Sequence, residues 1–358
     1  MNTSVDTEEA IITRMTNEAI YQRLPCIVFI GSLSLIGIIG NIHVLVLFPR
    51  SDRKPSTYTV FVIALSLVDL TTCLFHMPME IFDLTKPYTF YSEIGCKLFR
   101  FNNAFLLMSS TFILVLIALE RYRRVCNPLR RQMTVSLSKK LCILVIFTCL
   151  VLTSPMYVIN GHHIQILQGN GVNATGYMCF INDEAAGTVY IYGYLGFMVL
   201  LFITAATILI FTYVAISRVI FSRHSSIRKS RKFRPASYAN VSSISTDRGS
   251  QGSPTCNHLE LFQSPSFETS QKTSTLKTTR PLIFITGIFI ILFTPYVLLN
   301  CVITFKENFK SRLDDLELTI YQISFRLILV NNVCNPFIYG FTDERFKNGV
   351  KSFYCRRK

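Results

Sequence analysis

Charge is scarce in this chain. Asp, Glu, Lys and Arg make up 16% of its 358 residues, against about 25% in ordinary soluble domains. Sustained period-two alternation is also missing, which argues against a membrane β-barrel. The first 25 residues lack a basic stretch followed by an apolar one, and carry Asp6, Glu8, Glu9 and Glu18 instead. No cleavable leader is therefore expected, and the first apolar segment is expected to direct its own insertion. There is no internal repeat and no matched pair of Gly- or Pro-broken helices, which argues against a transporter or channel. No catalytic constellation appears, so an enzyme is not expected. Tryptophan is absent altogether.

Long apolar runs are what the chain does have. Half of its residues are hydrophobic. Seven segments read as Leu24–Phe48, Tyr58–Phe82, Cys96–Val125, Lys139–Ile159, Val189–Phe221, Pro281–Thr304 and Ile320–Phe341. As helices rising 1.5 Å per residue, each can span the roughly 30 Å of bilayer hydrocarbon. The third and fifth are longer than that and are expected to tilt or project. The fold class is therefore an all-α membrane protein, a seven-transmembrane helix bundle. Residues 1–23 form a tail before it, 24–341 the membrane domain, and 342–358 a surface helix and tail.

Basic residues set the orientation. With the N-terminus outside, 27 of the 36 Lys and Arg fall on inner segments, including Arg123, Arg124, Arg130, Arg131 and the dense Arg218–Arg234 stretch. The net charge of +15 is thus a topology signal and an attraction to anionic lipid, not evidence for nucleic-acid binding. Asn2 and Asn173 head glycosylation sequons on the outer side, whereas Asn240 heads one on the inner side. Residues 222–279, rich in Ser, Thr, Lys and Arg, are expected to be largely disordered after a basic start that prolongs the fifth helix. Phe346, Val350 and Phe353 follow an i, i+4, i+7 pattern among basic residues, as in a helix lying on a membrane. Cys355 beside Arg356-Arg357-Lys358 is a palmitoylation candidate, or an unmodified thiol.

Charges inside a bilayer are costly and mark function. The third segment ends in Glu120-Arg121-Tyr122 and the seventh in Asn335-Pro336-Phe337-Ile338-Tyr339. A Glu-Arg pair and an Asn-Pro-x-x-Tyr at one end of a bundle point to a switch rather than a pore. The second segment carries Asp69, His76, Glu80 and Asp83 at offsets that share one helix face, which Pro78 will rotate at its upper end.

Together with Gly40-Asn41, Leu65-Ser66-Leu67-Val68-Asp69, Cys96, Cys179, Tyr213, Phe289 and Pro295, these motifs resemble the rhodopsin-like (class A) G-protein-coupled receptors, and within them the neuropeptide-receptor group. The resemblance covers residues 24–355. It implies a multi-pass plasma-membrane receptor with an outer Cys96–Cys179 disulfide. It also implies a heterotrimeric G protein, a receptor kinase and arrestin as partners, beside membrane lipid. Asp69, with Asn41, Ser110, Asn331 and Asn335, would form a polar core around a sodium ion; a proton, or a hydrogen-bonded core without an ion, is the alternative. Arg121 would pair with Glu120 at rest and, once freed, stack near Tyr213 and Tyr339. Leu129, just after Pro128, would plug a groove on the G protein. Thr273–Lys277 carries no acid to latch the sixth helix, so appreciable basal signalling is expected.

Three positions depart from the family pattern. Val145 or Ile146 stands where the fourth helix usually has tryptophan. Phe293 stands two residues before Pro295, another usual tryptophan position. Ala205 replaces the usual proline of the fifth helix and should leave it straighter, because its amide can close the helical ladder. A mid-seventh-helix lysine is missing, with Leu329 near its place, which argues against an opsin. Asn103 stands where amine receptors carry aspartate. The remaining ligand-facing candidates are Glu80, Asp83, Arg100, Asn103, Tyr296 and Arg326. Glu80 and Arg326 could equally pair with each other. Glu80, Asp83, Asp183, Glu184, Asp314, Asp315 and Glu317 form an acidic mouth expected to hold a cationic peptide. The loop before Cys179 is long enough for the β-hairpin lid of peptide-receptor relatives. A lipid or small acid binding through Arg100 or Arg326 is the alternative ligand, and a non-signalling decoy the alternative role.

Overall fold

The computed structural model describes residues 2–51, 56–169, 171–232, 283–299, 302 and 313–355. Expectations for the serine-rich 233–282 stretch, including the missing latch at 273–277 and the Asn240 sequon, lie outside these residues.

Helices start where the sequence supplies a side-chain oxygen for the first free amides. Helix α2 (Thr57–Thr71) is capped by Ser56, which accepts from the Thr59 amide at 3.2 Å. Helix α4 (Glu93–Cys126) is capped by Ser92, and α5 (Val135–Thr153) by Thr134. Helix α9 (Asp315–Arg326) opens on a capping box in which Asp314 accepts from the Glu317 amide and Glu317 accepts from the Asp314 amide. Proline ends helices or divides them. Helix α4 stops two residues before Pro128, and Pro155 opens the short α6 (Pro155–Ile159), which continues the fourth span. Ahead of Pro78 the second span widens into a π-helical turn, Thr72–His76, before resuming as α3 (Met77–Thr85). The fifth span, α7 (Val189–Lys232), runs unbroken through a buried Ala205 and on into the basic stretch.

Among the described residues five helices are long and apolar enough to cross a membrane. The sixth span is described as α8 (Ile283–Leu299). The seventh is two 12-residue helices, α9 and α10 (Asn331–Thr342), joined by a 3-10 turn at Leu327–Val330. Helix α11 (Glu344–Cys355) follows. Its Phe346 is buried in the bundle, stacked on Phe48 with ring centroids 5.5 Å apart, while Phe353 is exposed. Only the later part of the expected apolar face is thus left for a surface.

Helix α1 (Asn2–Ser51) begins well before Leu24, where the hydropathy reading placed its start. Residues 2–23 are amphipathic rather than apolar, so hydropathy alone stops short of them. Ile11 and Ala19 are buried, and Ile11 packs with Leu167 and Ala174 of a β-hairpin. That hairpin, β1 (Asn160–Gly169) and β2 (Val172–Ile181), is antiparallel, with His162 opposite Cys179. Gly171 turns it at φ +78°, a conformation that favours glycine. The chain before α4 joins its edge, Phe90 donating to the Tyr177 carbonyl at 3.0 Å and Tyr177 donating to the Tyr88 carbonyl at 2.8 Å. Cys179 is disulfide-bonded to Cys96 at the head of α4, which fixes the hairpin across that end of the bundle.

Helix α1 reaches the others through glycine. A Cβ on Gly40 would lie 2.9 Å from Cγ of Pro336, and one on Gly37 would strike Sγ of Cys73 in the π turn. Gly40→Ala is therefore expected to force α1 and α10 apart, at a cost of about 1–3 kcal/mol for overpacking. A lower melting temperature of the purified protein would be the readout; an unchanged one would contradict the close packing.

Candidate functional site

Polar groups gather at three depths. At the hairpin end lies a cavity of about 660 Å³. Asp83, Arg100, Asn103, Tyr296 and Arg326 line it, and so does Arg23 of α1, from the stretch that hydropathy assigns to the tail. The remaining wall is largely apolar and aromatic, including Leu107, Met108, Phe293 and Phe325. Glu80 is not in that wall. It is buried behind Arg326, whose Nε donates to Glu80 Oε1 at 2.8 Å while Nη2 lies 2.7 Å from the same oxygen. Gln322 Oε1 accepts from Arg326 Nη1 at 2.5 Å. Of the two readings left open for Glu80 and Arg326, the geometry is that of an internal pair.

The acidic mouth expected from the sequence is largely engaged within the molecule. Arg100 Nη2 donates to Asp83 at 3.3 Å and to the Cys179 carbonyl at 2.8 Å. Asp183 lies 2.5 Å from His163 Nδ1 and accepts from the Ile164 amide at 2.9 Å. That amide and then the imidazole hold the Asp183 carboxyl below the usual carboxylate range. Asp314 and Glu317 cap α9, and Asp315 accepts from Gln22 at 2.9 Å. Glu184 stands exposed beyond the hairpin.

Midway down, Asp69 is fully buried and its Oδ2 accepts from Asn335 Nδ2 at 2.7 Å. Asn41 Nδ2 donates to the carbonyls of Gly37 and Asn332 at 3.0 and 2.9 Å. Asp69 Oδ1, Ser110 Oγ, Asn331 Oδ1 and Asn335 Oδ1 are buried without a hydrogen-bond partner among the protein atoms. Buried polar groups normally find one. These unpartnered oxygens, from a carboxylate, a hydroxyl and two amides, are of the donor type that a hard cation takes.

At the opposite end, Arg121 is 1% exposed. Its Nε lies 3.3 Å from Glu120 Oε2, and its guanidinium covers the Tyr58 ring at 4.5 Å. Glu120 Oε1 also accepts from Thr57 at 2.9 Å and pairs with Arg124 at 2.6 Å. Tyr58 in turn donates to Asp343 Oδ2 at 2.9 Å, next to the start of α11. Neither Tyr58 nor Asp343 was singled out from sequence, because the hydrogen bond that joins them spans 285 positions. Tyr122 is half-buried, Tyr213 and Tyr339 are buried, and Leu129 is 100% exposed on the loop after α4.

Aromatic rings connect the cavity to the interior. Phe293 stacks on Phe202 of α7 with centroids 3.6 Å apart. It also meets Phe289 at 5.3 Å and Tyr296 at 5.5 Å, and Tyr296 meets Phe325 of α9 at 5.0 Å. Phe293 thus occupies the centre of this cluster, and Pro295 follows it on α8. Asn173 is exposed on β2. The side chains of Asn2 and Cys355 lie outside the described residues.

The profile of the 7 transmembrane receptor (rhodopsin family) matches residues 40–339. The cholecystokinin receptor type A of Cavia porcellus is 28% identical over 348 residues, covering 90% of this chain and 78% of that receptor. Its Homo sapiens counterpart is 26% identical over 346 residues, with the same coverage. Cephalotocin receptor 2 of Octopus vulgaris is 26% identical over 207 residues, 58% of this chain and 47% of that receptor. The crystal structure of squid rhodopsin has the same fold, with TM-score 0.67 at 15% identity over 92% of this chain and 84% of that one.

Removing one member of a buried ion pair strands the other and costs about 3–5 kcal/mol, whereas replacing both by apolar residues is often neutral. Glu80→Gln is expected to lower the melting temperature markedly, and Glu80→Met with Arg326→Met to recover most of it. Additive losses in the double variant would contradict the pairing.

Proposed function

Since the chain belongs to the rhodopsin family of seven-transmembrane receptors, we propose that its hairpin-end cavity takes a peptide agonist and that its Glu120–Arg121 end is the switch toward the G protein. It is a G-protein-coupled receptor and not an enzyme, and a multi-pass plasma-membrane protein. Two observations support a peptide. The cavity lies beneath a disulfide-fixed hairpin, and the relatives are named for cholecystokinin and cephalotocin, both neuropeptides. The N-terminus and hairpin then face outward and α11 lies inside, in line with the inner excess of Lys and Arg.

The observation that carries the switch is the closed, buried Glu120–Arg121 pair, packed on Tyr58. An agonist pressing on Tyr296 and Phe293 acts on α8 directly. Outward movement of α8 is then the bistable element that the agonist biases. Arg121, released from Glu120, turns toward Tyr213 and Tyr339 and meets the G protein, while Leu129 supplies the apolar plug. Asp69, Ser110, Asn331 and Asn335 would hold a sodium ion, with Asn41 alongside. The ion would supply the positive charge that a buried carboxylate otherwise lacks. Receptor kinase and arrestin would share the inner face, and Cys355 and the basic tail would engage lipid. Asn2 and Asn173 would carry glycans.

Two outcomes are expected in cells expressing the chain with a promiscuous G protein. Arg121→Ala should abolish the agonist-driven calcium response at unchanged surface density; a preserved response would remove Arg121 from the switch. Asp69→Asn should make agonist affinity insensitive to sodium; wild-type affinity that ignores sodium from the outset would leave the polar core without an ion.

A further inference from the structure

Among the described residues, three guanidinium groups and a single acidic side chain line one cavity. Arg23, Arg100 and Arg326 face it with Asp83, and Asp83 lies within electrostatic range of all three. Arg326 is matched by Glu80 behind it, at 2.7 Å. Arg100 is matched by Asp83, at 3.3 Å. Arg23 has no carboxylate within ion-pair distance among the described residues; its hydrogen bond runs to the Leu84 carbonyl, at a long 3.5 Å. Arg100 also keeps a donor unused, because its Nε is buried without a hydrogen-bond partner. Apart from the exposed Glu184, the outer acids that would make the mouth attractive to a cation are bound to His163, to Gln22 or to the cap of α9. Counted over the described residues, the charge of the cavity is therefore positive by one guanidinium. An uncompensated charge beside apolar walls is poorly hydrated and gains most from an opposite one.

We infer that the agonist carries an anionic group, a carboxylate on a peptide with an aromatic neighbour, which binds between Arg23 and Arg100 while the ring packs against Tyr296 and Phe325. This rests on the cavity being the peptide site proposed above, and it reverses the expectation of a cationic ligand. Guanidinium suits the task because its planar donors can grip both oxygens of a carboxylate. The donor left over on Arg100 and the weakly held Arg23 can turn to the ligand without breaking the Glu80–Arg326 pair that supports the wall.

The test uses the purified full-length receptor in lipid nanodiscs. Its melting temperature is measured with acetyl-Phe-Phe as the free acid and as the carboxamide, both at millimolar concentration. The acid should stabilise more strongly, equivalent to at least about tenfold tighter binding, and Arg23→Gln should erase the difference. Among the described residues Arg23 holds no ion pair, so this variant should fold; Arg100→Gln, which strands Asp83, is the secondary variant. Equal or greater stabilisation by the carboxamide, no shift with either, or a difference that survives Arg23→Gln would overturn the inference. A separate arm uses 3-phenylpropionate, which has no peptide bond. A shift as large as that of the peptide acid, again lost in Arg23→Gln, would uphold the anion site while removing support for a peptide over a small acid.

Discussion

A charge buried in the apolar interior of a bundle must have a partner there, and much of this molecule is arranged around that demand. Desolvating one ion costs several kcal/mol even after relaxation. Glu120 and Arg121 meet it at one end, Glu80 and Arg326 at the other, with Arg100 and Asp83 nearer the mouth. Each pair joins side chains whose individual removal would strand a charge, so each also records where the structure can be switched. A pair that breaks must find new partners at once. For Arg121 the tyrosines 213 and 339 are buried, and their hydroxyl oxygens can receive a donor.

Between the two ends the coupling is made of packing. Phe293 replaces an indole with a smaller ring, yet it touches Phe202, Phe289 and Tyr296 at once. The residues that sense the cavity are thereby joined to the helix proposed to move. On the other side of the bundle, α1 lies so close to Pro336 and Cys73 that only glycine fits at positions 40 and 37. One flank is fixed by contact and the other is an aromatic cluster able to repack. That asymmetry suits a hinge on the α7–α8 side.

The parts legible in the sequence were those encoded locally. Seven apolar segments, the Glu120-Arg121 and Asn335–Tyr339 motifs and the amphipathic tail all sit within a few turns of their own signal. The Asp69, His76 and Glu80 stripe also faces inward as its spacing implied. The less legible parts depend on distant partners. Nothing near Tyr58 indicates that its hydroxyl reaches Asp343, 285 positions away. Arg23 falls in the tail when hydropathy starts the first span at Leu24, whereas the helix begins earlier and carries it to the cavity wall. The acidic mouth misled for the same reason. Counting acids gives their number but not which are already engaged, and Asp314, Asp315, Glu317, Asp83 and Asp183 each have a partner within the fold.

The most direct test of the switch is the basal second-messenger level of Glu120→Gln, compared with wild type at matched surface density and without agonist. Glu120 holds Arg121, Arg124 and Thr57 together, and removing its charge should release Arg121 and raise the basal level. A basal level equal to or below wild type would contradict the account, because Arg121 would then be held by something other than the pair on which the resting state is said to depend.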